Sequence, residues 1–148
     1  MDNLEKIVIC GSISAYMEIE KVSNDLIGLG YEVKIPLSVE RILKKELTIE
    51  KFTQELEEGE GHKRKIQDDV IRAYYEKIKD ADAILVCNFD KNGVANYIGG
   101  NTFLEIGFAH VLNKKIFLLN PIPKGVSYVD EIRAMQPVVL DEDLGKIK

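Results

Sequence analysis

A doubly wound α/β fold, one domain with five parallel strands and helices on both faces of the sheet, is what this chain predicts. Three observations lead there. Short apolar runs such as Ile7-Val8-Ile9-Cys10, Ile84-Leu85-Val86-Cys87 and Ile116-Phe117-Leu118-Leu119 read as strands buried on both sides. Helical-period segments separate them, and strands alternating with helices imply a parallel sheet. The length of 148 residues suits one ordinary domain with a real core.

In order, Lys6 to Cys10 forms a strand ending at Gly11. Residues 15–29 form a helix with Ile19, Val22, Leu26 and Leu29 on one face, stopped by Gly30. Tyr31 to Ile35 is the second strand, completing a β-α-β unit whose crossover is right-handed. Residues 37–65 break the rhythm: a charged insert holding one or two short helices, with Thr48 as a cap. Its most polar stretch, Glu55 to Lys65, reads as a solvated loop, or more sharply as a flap bringing Lys63, Arg64 or Lys65 to an anion. A helix follows over 66–79, then a strand over 82–88, a loop containing Asn92-Gly93 and Gly99-Gly100, and a helix over 102–112. Strands at 115–119 and 137–140 flank a short helix at 127–135. The whole is a flavodoxin- or Rossmann-like domain over residues 1–148, with no internal repeat and no linker.

Composition narrows the function. Hydrophobic residues make up 45% and charged residues 30%, as in soluble globular domains. A net charge of −5 argues against polymeric nucleic acid, which needs a basic face, but leaves room for a single nucleotide. No apolar run approaches the roughly 20 residues that span a bilayer. The acidic start, Met1-Asp2-Asn3-Leu4-Glu5, enters a strand directly, so no secretory signal and a cytoplasmic location are expected. Cys10 and Cys87 sit in strand patterns as buried thiols, and His62 and His110 have no ligand-spaced neighbours, so no zinc site is expected.

Two segments can carry chemistry. Gly11-Ser12-Ile13-Ser14 follows the first strand, where a glycine admits a ligand and hydroxyls can hold a phosphate or sugar oxygen. An ordinary turn with Ser12 or Ser14 as helix cap explains it as well. The second is Asn96 to Glu105. Thr102-x-x-Glu105 has the spacing of a capping box, in which both side chains are spent on helix N–H groups. The competing view makes Glu105 a nucleophile at C1′ of a nucleoside sugar, by the logic of retaining glycosidases. Gly99-Gly100 clears space at the helix start, and the connection from Asn88 to Asn101 exceeds the usual 2–6 residues or so.

Cys10-Gly11-Ser12-Ile13, Ala81-Asp82-Ala83, Phe103-Leu104-Glu105-Ile106-Gly107-Phe108-Ala109 and Asn113-Lys114-Lys115 together resemble the nucleoside 2-deoxyribosyltransferase superfamily. The first segment is nearest the 2′-deoxynucleoside 5′-phosphate N-hydrolase branch, and the resemblance covers all but the insert. It implies an N-glycosidase or nucleoside deoxyribosyltransferase acting through a glycosyl-glutamate intermediate on Glu105. Gly11 and Ser12 would line the nucleotide site, with Ser14, Gly100, Asn101 and Thr102 near the sugar or phosphate. It further implies a homo-oligomer, a dimer or larger, without cofactor. Ile122, Val126, Tyr128 and Val129 are apolar candidates for its contacts. A looser resemblance links Gly99-Gly100-Asn101-Thr102-Phe103-Leu104-Glu105 to cytokinin-type nucleoside monophosphate phosphoribohydrolases, which also cleave an N-glycosidic bond.

Three positions depart from the family pattern. Tyr74 stands where members keep an aspartate, with Asp68, Asp69 and Glu76 out of register. Gly99 and Gly100 stand where transferases carry an acid, and Ser14 replaces the arginine of the phosphate hydrolases. Tyr16, Tyr74 or Tyr97 could serve as proton donor or stack on a base; ordinary aromatic packing explains each equally. The alternative function is a non-catalytic module that binds or senses a nucleotide in the same pocket.

Overall fold

The computed structural model describes residues 3–67 and 69–148, with every side chain in those spans except Arg64 and Gln67. The chain runs β1 (Lys6–Gly11), α1 (Tyr16–Gly28), β2 (Glu32–Lys34), α2 (Leu37–Leu43), α3 (Ile49–Glu57), α4 (Gly61–Gln67), α5 (Val70–Lys79), β3 (Ala83–Cys87), α6 (Gly100–Val111), β4 (Lys115–Leu118), α7 (Val129–Ala134) and β5 (Val138–Val139). The five strands lie in the order β2-β1-β3-β4-β5, all parallel. This is the flavodoxin-like order, and the chain reverses its direction of winding between β1 and β3. Those two strands are in register from Ile7 opposite Ala83 to Gly11 opposite Cys87, so their carboxyl ends finish level.

Strand alternation divides the core in two. Ile7, Ile9, Leu85, Cys87 and Phe117 face α1, α2 and the C-terminal segment, meeting Ile19, Leu26, Val39 and Leu140. Val8, Cys10, Ile84, Val86 and Leu118 face α5, α6 and α7, meeting Tyr74, Ile78, Ile106 and Ile132. The period of two along each strand sends Cys10 to the α6 side and its neighbour Ile9 to the other. Asp82, expected in a strand, lies just before β3, where its carboxylate accepts from the Glu5 and Lys6 amides at 2.8 and 2.9 Å. Those bonds hold its pKa below the usual carboxylate value.

Several expectations need correction. The continuous helix over 66–79 is broken: Asp69 adopts a left-handed φ of 48° and separates α4 from α5. The polar stretch from Glu55 to Lys65 is mostly helical, turning only near Gly59 at φ 72°. Leu29 lies past the end of α1 and is exposed. Val126 is buried, and Ile122, Tyr128 and Val129 are half-buried against the same inner cluster. Thr48 does cap α3, accepting from the Lys51 amide at 3.1 Å. No helix among the described residues is long and apolar enough to cross a membrane.

Candidate active site

Open α/β sheets bind ligands outside the carboxyl ends of the strands at the winding reversal. A cavity of about 270 Å³ borders β1 and β3 there, near the scale of a small-molecule site. Gly11, Val86 and Cys87 contribute its base, and Glu105 projects into it from α6. Gly11 allows a close approach where β1 ends: a Cβ would press to 3.2 Å from both the Cys87 carbonyl and the Ile19 side chain.

Glu105 does not cap its helix. The N-cap is Gly99, extended at φ −81° and ψ 173°, whose carbonyl accepts from Phe103 at 2.9 Å. Thr102 therefore sits at the third helical position and Glu105 a turn further in, too deep for a capping box. The carboxyl group is instead buried, only 6% exposed, on the cavity wall. A Cβ on Gly100 would meet nothing within 4 Å, whereas one on Gly99 would crowd the Tyr97 ring at 3.3 Å.

Burial pushes the Glu105 pKa up to about 8, because a charged carboxylate loses its hydration there. The Cys10 thiol, which donates a hydrogen bond to the carboxylate, and the positive charge of Lys65 both oppose that rise. The Cys10 thiol is itself pushed well up, first by burial and then by the Glu105 charge. Tyr74 is 3% exposed, and its hydroxyl donates to the Ile9 carbonyl, with its pKa raised mainly by burial. The proton of Tyr74 is thus already engaged within β1.

The remaining walls come from the insert and from the connection after β3. Phe52, Glu55 and Leu56 of α3, with Gly61 and Lys65 of α4, line the same cavity as Glu105. Lys91 enters from the other side, its ammonium donating to Ser12 Oγ at 2.8 Å. Ser12 Oγ also lies 2.9 Å from Ser14 Oγ and accepts from the Ser14 amide at 3.3 Å, so Ser12 caps the short turn before α1. The connection carrying Lys91 is anchored at Asn88. This buried side chain donates to the Asn120 and Pro121 carbonyls at 2.9 and 3.0 Å and accepts from the Asn120 amide at 2.9 Å.

The structure brings together Glu105, Gly11, Ser12, Gly100, Asn101, Thr102, Tyr74 and Tyr97 around one cavity. Ser14 lines an adjoining depression instead, with Lys91, Asp90 and Glu18. Tyr16 packs against the α1-side core and borders neither space. Lys65 of the proposed flap reaches the cavity. Lys63 pairs with Glu60 at 2.6 Å, and the Arg64 side chain and Asp68 lie outside the described residues. Sequence reasoning missed Lys91 and the proximity of Cys10 to Glu105. The Asn92-Gly93 pair was the available signal for the first, since it marks a tight turn that would project its neighbours.

No family model and no curated protein matches the chain. Among solved structures, the chain is similar in fold to a CMP N-glycosidase, BcmB, of Clostridium botulinum. The two share 18% identity with a TM-score of 0.51, over 91% of this chain and 85% of that one. The likeness is one of fold, a doubly wound α/β domain.

Proposed function

We propose that the protein cleaves the N-glycosidic bond of a nucleoside or nucleotide, with Glu105 as nucleophile. The observation that carries this reading is a buried carboxyl group on the cavity wall that takes no part in capping its own helix. Fold likeness to an N-glycosidase and the resemblance of the segment around Glu105 support the bond type.

In the first step a Glu105 oxygen bonds to C1′ as the bond from C1′ to the base nitrogen breaks, and the base takes a proton from the Tyr97 hydroxyl or from solvent. In the second, water or another base attacks C1′ and releases the carboxylate. The buried site excludes water from the attacking oxygen and strengthens its attraction to the positive charge growing on the sugar. With a pKa of about 8, roughly one molecule in ten carries the ionised form at pH 7. That tenfold or so cost is small beside the factors that covalent catalysis and positioning supply. Tyr97 borders the cavity as a proton donor or a stacking surface, whereas the Tyr74 hydroxyl is held by Ile9.

The test is base release from a panel of ribo- and deoxynucleosides and their 5′-monophosphates, with and without a second free base. Wild type is expected to release base, and Glu105→Gln and Glu105→Ala to release none while still binding ligand. Unchanged release by Glu105→Ala would overturn the mechanism. The engaged Tyr74 proton is what favours the second reading, a nucleotide-binding module without turnover. Binding by wild type with no base released from any panel member would establish that reading instead.

A further inference from the structure

We propose that Glu55, on the insert helix α3, selects the base: its carboxylate accepts from an exocyclic amino group, so that amino-bearing bases are taken in preference to their oxo counterparts. That the bound ring is a nucleobase rests on the glycosidase reading; the placement of Glu55 at the cavity does not.

The cavity has two unlike banks. Ser12 after β1, Lys91 and Tyr97 after β3, and Asn101 and Thr102 at the start of α6 bring hydroxyls, an amide and an ammonium. Pro36 and Leu37 after β2, Phe52 and Leu56 of α3, and Val70 of α5 are apolar. Strands β2 and β3 flank β1 on opposite sides, so the connections that follow them reach the cavity from opposite directions. A nucleoside is divided in the same way, into a sugar that needs hydrogen bonds and a flat ring that gains from leaving water. A sugar attacked by Glu105 belongs with the polar bank, because Glu105 stands on the same helix as Asn101 and Thr102. That leaves the base to the apolar bank.

The helix sets Glu55 within that bank. Phe52, Glu55 and Leu56 are spaced i, i+3 and i+4, and so share one face. Of the α3 glutamates Glu50, Glu55 and Glu57, only Glu55 is half-buried and lines the cavity; the other two are exposed. Both ends of the helix are held. Thr48 caps its start, accepting from the Lys51 amide at 3.1 Å. Near its end Leu56 lies so close to Gly61 of α4 that a Cβ on that glycine would come to 2.7 Å from it. Phe52 packs against the core on the α1 side. An acceptor is thereby fixed next to an aromatic ring, a pairing that suits a flat ligand with a polar edge.

An ionised carboxylate only accepts, at roughly four lone-pair sites, so a contact on one side of it leaves others for a ligand. Adenine, cytosine and guanine each present an amino group with two N–H donors. Hypoxanthine, uracil and xanthine carry a carbonyl oxygen at the same position, whose lone pairs oppose the carboxylate. Their ring N–H lies beside such an oxygen, so approach to it brings the same repulsion. Lys65, the cation that the insert brings to the cavity, acts on the charge of Glu105. Were Lys65 to read the base instead, the oxo members would bind more tightly.

The test is calorimetric binding of three matched pairs, adenine against hypoxanthine, cytosine against uracil and guanine against xanthine, as nucleosides and 5′-monophosphates. Glu105→Gln replaces wild type wherever the ligand is consumed. The amino member of at least one pair is expected to bind at least about tenfold more tightly than its oxo partner, the size of one charge-assisted contact. Glu55→Ala should bring that ratio close to one by weakening the amino member. Glu55→Gln, whose amide can also donate, should narrow it by strengthening the oxo member, which a general loss of folding would not do. Thermal unfolding checks that both variants fold. Equal affinity within every pair, tighter binding of the oxo members, no binding of any member, or a preference that survives Glu55→Ala would overturn the proposal. An amino preference lost in Glu55→Ala, in a protein that releases no base, would sink the glycosidase reading and leave the role of Glu55 standing. Base release at equal kcat/KM from both members of every pair would do the reverse.

Discussion

At the scale of single residues, the strongest consequence follows from the burial of Glu105. The folded state keeps the Glu105 proton up to about pH 8, whereas the ordinary value of the group is 4.5. Between those two values the unfolded chain binds fewer protons, so stability falls as pH rises, and it levels off above about 8. The total loss is at most about 5 kcal/mol, at about 1.4 kcal/mol per pH unit. Glu105→Gln carries no such charge. Denaturant unfolding should therefore find the variant more stable than wild type at about pH 9 and close to it at about pH 5. A parallel pH dependence in both proteins would contradict the burial of the carboxyl group. In turnover, kcat/KM of wild type should climb with pH through about 8, because the proposed mechanism needs Glu105 ionised.

At the scale of elements, the sequence legibly marks the strands and misplaces some helix boundaries, each for a local reason. Strand runs such as Ile84 to Cys87 need no context, since a strand buried on both faces is apolar throughout. The break at Asp69 was invisible because aspartate is only an occasional left-handed residue and the flanking periodicity runs on. The Thr102-x-x-Glu105 spacing fits a capping box in sequence but not in structure, because the extended Gly99 takes the cap position. For Lys91, the missing information was tertiary: nothing local announces a partner on the other side of the winding reversal. The connection that carries it depends on Asn88. Asn88→Ala leaves the Asn120 amide without its buried partner and should cost about 2–3 kcal/mol in chemical denaturation. It should also weaken ligand binding more than a surface substitution of equal stability cost. Full affinity in Asn88→Ala would show that the connection is held by its turn alone.

At the scale of the whole molecule, exposed apolar side chains occur on several elements, Met17 and Ile27 of α1 and Ile66 of α4 among them, and one group lies on α5 and α6. Tyr75 meets Phe108 edge-on with ring centroids 5.3 Å apart, joining the two helices. Ile71, Leu104 and Val111 continue from them at 43%, 47% and 71% exposure. An apolar face of this kind on the helix that carries Glu105 is suited to a second copy of the chain. Sedimentation velocity should find a homo-oligomer, and Leu104→Glu with Val111→Glu should shift it toward the monomer. A wild-type monomer at all accessible concentrations would remove this expectation without affecting the fold.

The insert has a consequence for how such a protein could diversify. Helices α3 and α4 lie between β2 and α5, contribute no strand to the sheet, and yet supply Phe52, Leu56 and Lys65 to the cavity. Glu105 stands on a helix packed against the opposite layer. Under the proposed function, the reacting carboxylate and this part of the pocket wall come from separate lengths of chain. Exchange of residues 49–67 for another sequence could redirect recognition while leaving the reacting oxygen where it is.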